Sequence, residues 1–216
     1  MSTTEVAFVI GGHPFDAPAV LDGVAALPGV EARVQDLPTF VADVGDRFGA
    51  YDAAVLFNYH GNGFGVHLTE EMHEEAMAAI PRMGEAGMGI VPLHHGIPAF
   101  PDSAAWSEVC GMADREVTPH LDQEVTVEVR GDHPVTDGLS GWTMTDETYE
   151  MAAPDADAVL LGTDHPRSAS ALAWTRRYRD SRVFCFQSGH GAGAWETEGF
   201  RSALARGIRW AAGEQG

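Results

Sequence analysis

Four short apolar runs in this chain each lead into a turn that carries histidine, and that recurrence limits the fold more than any other feature of the sequence. They are Glu5–Gly11 before Gly12-His13, Asp52–Tyr59 before His60-Gly61, Gly89–Leu93 before His94-His95-Gly96, and Arg182–Gln187 before Ser188-Gly189-His190. Runs this short and this apolar read as strands covered on both faces, the signature of a parallel sheet. Open α/β sheets bind their ligands in the crevice beyond the strands' carboxyl ends. If the sheet is wound on both faces, all four histidine turns fall along one edge of it.

The intervening segments support that reading. Asp16 is a helix N-cap and Pro18 suits a first turn. Val20, Leu21, Val24 and Leu27 then recur at helical spacing until Pro28-Gly29. Val30–Leu37 reads as a strand, so the first unit is a strand–helix–strand crossover of right-handed sense. Thr69 caps a helix that turns Met72, Met77 and Ile80 inward, and Pro81 is expected to kink or shorten it. Ser103–Cys110 is a short helix, and Thr197 caps a last one that buries Phe200, Leu204 and Ile208. From Arg115 to Arg130 the pattern changes to strict alternation. Val125, Val127 and Val129 face one way and Glu124, Thr126 and Glu128 the other, as in an antiparallel strand expected at a sheet edge. Trp142–Met151, Asp155–Gly162 and Ala171–Thr175 read as further strands. With no repeat or linker, residues 1–216 are expected to form a single domain. Its architecture would be a three-layer α/β/α sandwich, with a mostly parallel sheet and an antiparallel insertion.

Composition narrows the chemistry. The chain has 32 Asp and Glu against 13 basic residues, a net charge of −19, so nucleic acid and anionic membranes are poor partners. Every one of the 13 is arginine. Without lysine there is no Schiff base, P-loop lysine or Ser-Lys dyad. Neither cysteine, Cys110 or Cys185, has metal or disulfide spacing, and both lie in core-like surroundings. No apolar run approaches the roughly 18 residues of a membrane span, and no basic region precedes the first apolar run. The expected location is the cytoplasm.

The chemistry-bearing candidates are the histidines of the four turns and the segment Asp146-Glu147-Thr148-Tyr149. Strand alternation puts Glu147 and Tyr149 on one face and Asp146 on the other. A carboxylate that reaches a histidine cluster can orient an imidazole, act as a base or bind metal. His94, Glu147 and His190 offer three ligands for a divalent metal, zinc being favoured, with His13 or His60 as a fourth. No local motif such as HExxH accompanies them. Trp174, and Trp195 after the last histidine turn, offer aromatic faces on which a sugar ring can stack.

Taken together, GGHPFD, VPLHHGIPAFPDSAAWSEVCG, HPVTDGL, DETYEM, LAWTRRY, SGH and the closing GFRSALARGIRWAAG occur in an order that resembles the ThuA-like (trehalose-utilisation) family. The resemblance covers nearly the whole chain. It implies a flavodoxin-like, class I glutamine-amidotransferase-like fold and a role with a disaccharide or 3-keto-sugar. Glutaminases of that superfamily carry a cysteine on a tight strand–turn–helix elbow. The comparable turn here holds His94-His95-Gly96, so the resemblance argues against a glutamine amidotransferase. It carries over His94, Glu147, Tyr149 and His190 as catalytic, with His95 beside them, and His13, Asp16 and His60 as substrate-binding, to which the aromatic face of Trp174 is added as a sugar-stacking candidate. Two function classes follow. One is a sugar-processing hydrolase, lyase or isomerase, metal-assisted or not. The other is a non-catalytic carbohydrate-binding or regulatory protein. In either case the partner is a small-molecule sugar, with self-association into a homo-oligomer left open.

Overall fold

The computed structural model describes residues 3–46, 48–60 and 68–214, with side chains at 44–46 and 48 left aside. Nine strands form one sheet: β1 (Thr4–Gly11), β2 (Val30–Asp36), β3 (Ala53–Asn58), β4 (Gly89–Pro92), β5 (Thr118–Val129), β6 (Trp142–Glu150), β7 (Ala158–Gly162), β8 (Ala171–Tyr178) and β9 (Ser181–Phe186). Their order across the sheet is β2-β1-β3-β4-β9-β8-β7-β5-β6. The first five in that order pair in parallel. The other four pair antiparallel and lie, in sequence, between the parallel neighbours β4 and β9.

Alternation along the central strands sends side chains to two cores. Val6, Phe8, Val55 and Phe57 pack against α1 (Ala17–Ala25), α5 (Ala192–Trp195) and α6 (Glu198–Ala211). Ala7, Val9, Ala54 and Leu56 pack against α2 (Leu37–Asp46), α3 (Glu70–Ala86) and α4 (Ala104–Cys110). Burial on both faces explains why these strands read as unbroken apolar runs.

Of the effects expected of Pro81, shortening does not occur: helix α3 continues to Ala86, where Gly87 ends it in a left-handed cap. Burial of Ile80, Met83 and Gly84 outweighs the ladder bond that proline cannot make. Strand β5 is not the edge: it lies between β7 and β6, and β6 is outermost. Its alternation reports an uncovered face rather than an unpaired side, with Val125 and Val127 buried and Glu124, Thr126 and Glu128 exposed. Helix α2 occupies a segment to which the sequence analysis assigns no element. Its start is marked by the Asp36 carboxylate, which accepts a hydrogen bond from Thr39 N–H at 2.9 Å.

The turn after β4 is the tightest part of the architecture. Leu93 N–H still donates to Leu56 C=O at 3.1 Å, and the chain then enters a 3-10 turn at His94–Gly96. A Cβ on Gly96 would fall 1.9 Å from the Leu56 carbonyl oxygen, so only glycine lets this turn close onto β3. Gly96→Ala is therefore expected to lower stability in urea unfolding by about 2–3 kcal/mol. A variant as stable as the parent would contradict this packing.

Candidate functional site

Because β1, β3, β4 and β9 are parallel neighbours, the turns that follow them open at one edge of the sheet. The β1 and β3 turns touch: Tyr59 N–H donates to Gly11 C=O at 2.9 Å, and a Cβ on Gly12 would lie 1.8 Å from the Tyr59 oxygen. His13 leaves this contact half-buried. At the end of β4, His94 adopts φ 50 and is fully buried, a left-handed conformation costing about 1–3 kcal/mol in a non-glycine residue. That twist aims its ring toward the β9 turn, where Gly189 (φ 124) re-aims the chain to present His190.

The carboxylates come from the sheet's far edge. Strand β5 pairs with β7 only at Glu128 and Val129, and its register with β6 shifts between His120 and Gln123. The β5–β6 ribbon thereby leaves the sheet and folds over the end of β9. Thr145 C=O packs so closely on α5 that a Cβ on Gly193 would lie 2.3 Å from it. Asp146 fastens the ribbon: its carboxylate accepts from Gly189 N–H at 2.7 Å and from His190 N–H at 3.0 Å. Glu147 and Tyr149 then face His94, as alternation requires.

Around His94 Nε2 lie Glu147 Oε2 at 2.9 Å, the Tyr149 hydroxyl at 2.9 Å and His190 Nδ1 at 3.1 Å. Glu147 Oε2 and His190 Nδ1 are 3.2 Å apart. On the ring's other side, His94 Nδ1–H donates to Gln187 C=O at 2.7 Å, so in neutral His94 the Nε2 atom carries the lone pair. A carboxylate oxygen 2.9 Å from a lone pair needs positive charge between them. Two species supply it: a proton that makes His94 an imidazolium, or a metal cation at the centre of the three atoms. Zinc bound at 2.0–2.1 Å would hold tetrahedral ligands about 3.3 Å apart, close to the triangle seen. Gln187, whose carbonyl fixes the tautomer, is a functional residue that the sequence does not signal, and Asp146, recognised only as facing away from Glu147, sets the position of His190. Only strand pairing shows what either one touches.

A second group lies alongside. His95 Nε2–H donates to Phe57 C=O at 2.9 Å, leaving Nδ1 as a lone pair, buried and without a hydrogen-bond partner. The ring of His13 stacks on that of His95 at 4.8 Å and meets that of His190 edge-on at 5.6 Å. Two triads, His94/Glu147/His190 and His13/His95/His190, thus each hold three ligand atoms within 4.8 Å of one another.

Other expected residues are placed elsewhere. Asp16 is exposed and caps α1, accepting from Ala19 N–H at 3.2 Å. His60 bonds Asn58 at 3.0 Å and stacks on Phe100 at 6.3 Å, away from both triads. Trp174 is fully buried under α4, its indole N–H donating to Cys110 C=O at 3.0 Å, so it cannot stack on a sugar. Trp195 is likewise core, packed on Phe8, Phe57 and Phe200. Neither thiol suits nucleophilic work. Both are buried, and burial pushes the Cys185 thiol well up.

A cleft of about 580 Å³ opens beside the triads, lined among others by Tyr59, Pro98, Asp102, Arg115 and Glu116. Tyr59 joins the two spaces, its ring meeting His13 edge-on at 6.1 Å. The Arg115 guanidinium shapes the rim by donating to Phe100 C=O at 2.6 Å and to Ser107 Oγ at 2.8 Å.

Burial, reinforced by the other histidines, pushes His95 well below the ordinary 6.5 and lowers His13 and His190. Burial would raise Glu147, but the hydrogen bond and charge of His94, with His190, hold it below the usual range. Tyr149 is pushed well up by burial and by Glu147, and stays a hydroxyl. The sign for stability follows. Below pH 6.5 the unfolded chain takes up protons that the folded His13, His95 and His190 resist, so stability is lost as pH falls. Glu147, depressed in the folded state, holds its contribution until pH drops through the carboxylate range. Asp146, raised by burial, acts in the opposite sense there. The thermal midpoint in EDTA is expected to be level from pH 8 to about 6.5 and to fall below it. A level profile down to pH 5 would contradict neutral, buried imidazoles.

The family described as trehalose utilisation, ThuA, matches residues 16–211. Among curated proteins none matches. A solved structure of a protein described as ThuA-like, from Parabacteroides merdae ATCC 43184, superposes with TM-score 0.73 at 21% identity, covering 98% of this chain and 91% of that one. A cytoplasmic protein of Salmonella typhimurium gives 0.66 at 16%, covering 95% and 98%. A chain of PurLQS from Thermotoga maritima gives 0.62 at 13%, covering 96% and 99%. At these identities the likenesses speak for a shared fold alone. With the family matched over most of its length, this chain belongs to the ThuA family and has a class I glutamine-amidotransferase-like fold.

Proposed function

We propose that the protein is an enzyme of carbohydrate utilisation, acting on a disaccharide or its 3-keto derivative at the carboxyl edge of the parallel strands. The observation that carries this reading is the convergence of His94 Nε2, Glu147 Oε2 and His190 Nδ1 to within 2.9–3.2 Å in a largely buried pocket. One nitrogen pair and one carboxylate is a donor set that suits zinc, which when bound would polarise a substrate carbonyl.

The residues of the chain divide the remaining work. Glu147, kept ionised by its histidines, would give Oε2 to the cation and accept the proton from the carbon next to the carbonyl on its other oxygen. His94 is locked by Gln187 C=O and keeps its Nε2 toward the reacting group. His190, partly exposed and held in place through Asp146, gives its Nδ1 to the same donor set. Tyr149, which stays protonated, can donate to a developing oxyanion. The adjoining cleft, with Tyr59, carboxylates and Arg115 on its walls, has the size and polarity for the rest of a polyhydroxylated substrate. A small-molecule sugar is then the ligand and the cytoplasm the place of work. Among the described residues no helix is long and apolar enough to cross a membrane.

Turnover of 3-keto-trehalose or a 3-keto-glucoside tests the assignment. Glu147→Gln and His190→Ala should each lower kcat about 100-fold or more. Unchanged turnover in both variants would sink it. Calorimetric binding of trehalose with no turnover under any metal condition would favour instead a non-catalytic sugar-binding protein.

A further inference from the structure

His13 and His95 are not needed for the chemistry above, yet with His190 they are built as a site. His95 Nδ1 is a buried lone pair without a hydrogen-bond partner, in a residue only 2% exposed. Leaving such an atom unsatisfied costs about 1–3 kcal/mol, and native proteins seldom accept that cost without a ligand. Its ring cannot turn to relieve the deficit, because Nε2–H is committed to Phe57 C=O at 2.9 Å and the ring packs on Phe57 at 4.2 Å. His13 is fixed in the matching sense: its Nδ1–H donates to Pro14 C=O at 2.6 Å, which leaves Nε2 as its lone pair. Backbone carbonyls holding the far nitrogen of each imidazole are the usual outer support of metal-binding histidines.

We propose that His13, His95 and His190 bind a second divalent cation beside the one assigned to His94, Glu147 and His190, so that the loaded protein holds two cations bridged by His190 as an imidazolate, the proton of its second nitrogen being released to solvent on loading. Three imidazole nitrogens, two from neutral rings and one from the bridging His190, suit a borderline ion such as Zn²⁺ or Co²⁺ and not Mg²⁺ or Ca²⁺, which take oxygen ligands. The three imidazoles cannot all be protonated at these separations without strong repulsion, and a cation is the partner that uses their lone pairs together. With His190 Nδ1 committed to the first triad, its Nε2 serves the second, and Asp146 sets that shared ring in place through the His190 amide.

The proposal rests on the first cation being bound as described under the proposed function, and the variants separate the two. EDTA-stripped protein is titrated with Co²⁺, following the visible absorption bands and the metal retained after gel filtration. Wild type should take two equivalents, His13→Ala one, Glu147→Gln one, and His190→Ala at most a weakly held fraction of one. His13 is half-exposed, so its variant tests the site even if the buried His95→Asn variant fails to fold. One equivalent in wild type that His13→Ala retains, or two in His13→Ala, overturns the second site. One equivalent in wild type that is lost in His13→Ala and kept in Glu147→Gln would instead remove the first site and keep the second.

Discussion

A strand that must turn within its own width, against a neighbouring backbone, sets the terms for the rest of this molecule. At the end of β4 the chain twists into φ 50 at His94 and presses Gly96 onto the Leu56 carbonyl. Trp106 locks the far side of the turn by donating its indole N–H to Gly96 C=O at 2.9 Å. With backbone on one side and indole on the other, neither His94 nor His95 has freedom to reorient. The strain at one residue, about 1–3 kcal/mol, is carried by a fully packed surround, and it delivers two imidazoles pointing in different directions from adjacent positions. The rings of His94 and His95 are 5.2 Å apart and inclined at 76°. One feeds the carboxylate triad and the other the all-histidine triad.

Electrostatics follow from that rigidity. In an acidic protein of net charge −19, the site gathers four histidines, and burial disfavours protons on three of them, His13, His95 and His190. Each one whose tautomer is fixed is fixed by a backbone carbonyl: Gln187 for His94, Phe57 for His95 and Pro14 for His13. Main-chain acceptors do not titrate, so they hold the same tautomer across pH. The carboxylates are divided by role on one strand. Asp146 spends both oxygens on amides of the β9 turn, whereas Glu147 keeps its charge for the histidines.

Much of this was legible in the sequence, and the parts that were not share a cause. The central strands could be read because burial on both faces leaves an unbroken apolar run, and the parallel order then forced their four turns to a common edge. The Glu147/Tyr149 pairing could be read because alternation is a local property of a strand. What could not be read depends on which strand lies beside which. Nothing local says that the ribbon carrying Glu147 starts at the sheet's far edge and returns over β9. It does so because β5 pairs with β7 only over its last two residues and shifts register with β6 near Asp122 (φ 53). Trp174 shows the same limit from the other side. Its strand was recognised, but only the position of α4 reveals that its face is covered. His60 follows the same strand-and-turn pattern as the others, yet Asn58 and Phe100 divert it.

The replacement at the elbow is the deeper point. In the glutaminases that share this fold, the tight turn serves a single thiol, which must stand clear of its neighbours to attack. An imidazole at the same place is not a substitute nucleophile, because its value lies in what converges on it. The turn still supplies strain and rigidity, but here they position a ligand or a proton carrier instead of exposing a reactive tip. That requires a second element to close over the turn, and the β5–β6 ribbon provides it, burying Glu147 and Tyr149 against His94. The His94–Gly96 turn and the ribbon that covers it therefore act as one unit, a covered, histidine-lined site whose groups suit acid–base and cation chemistry.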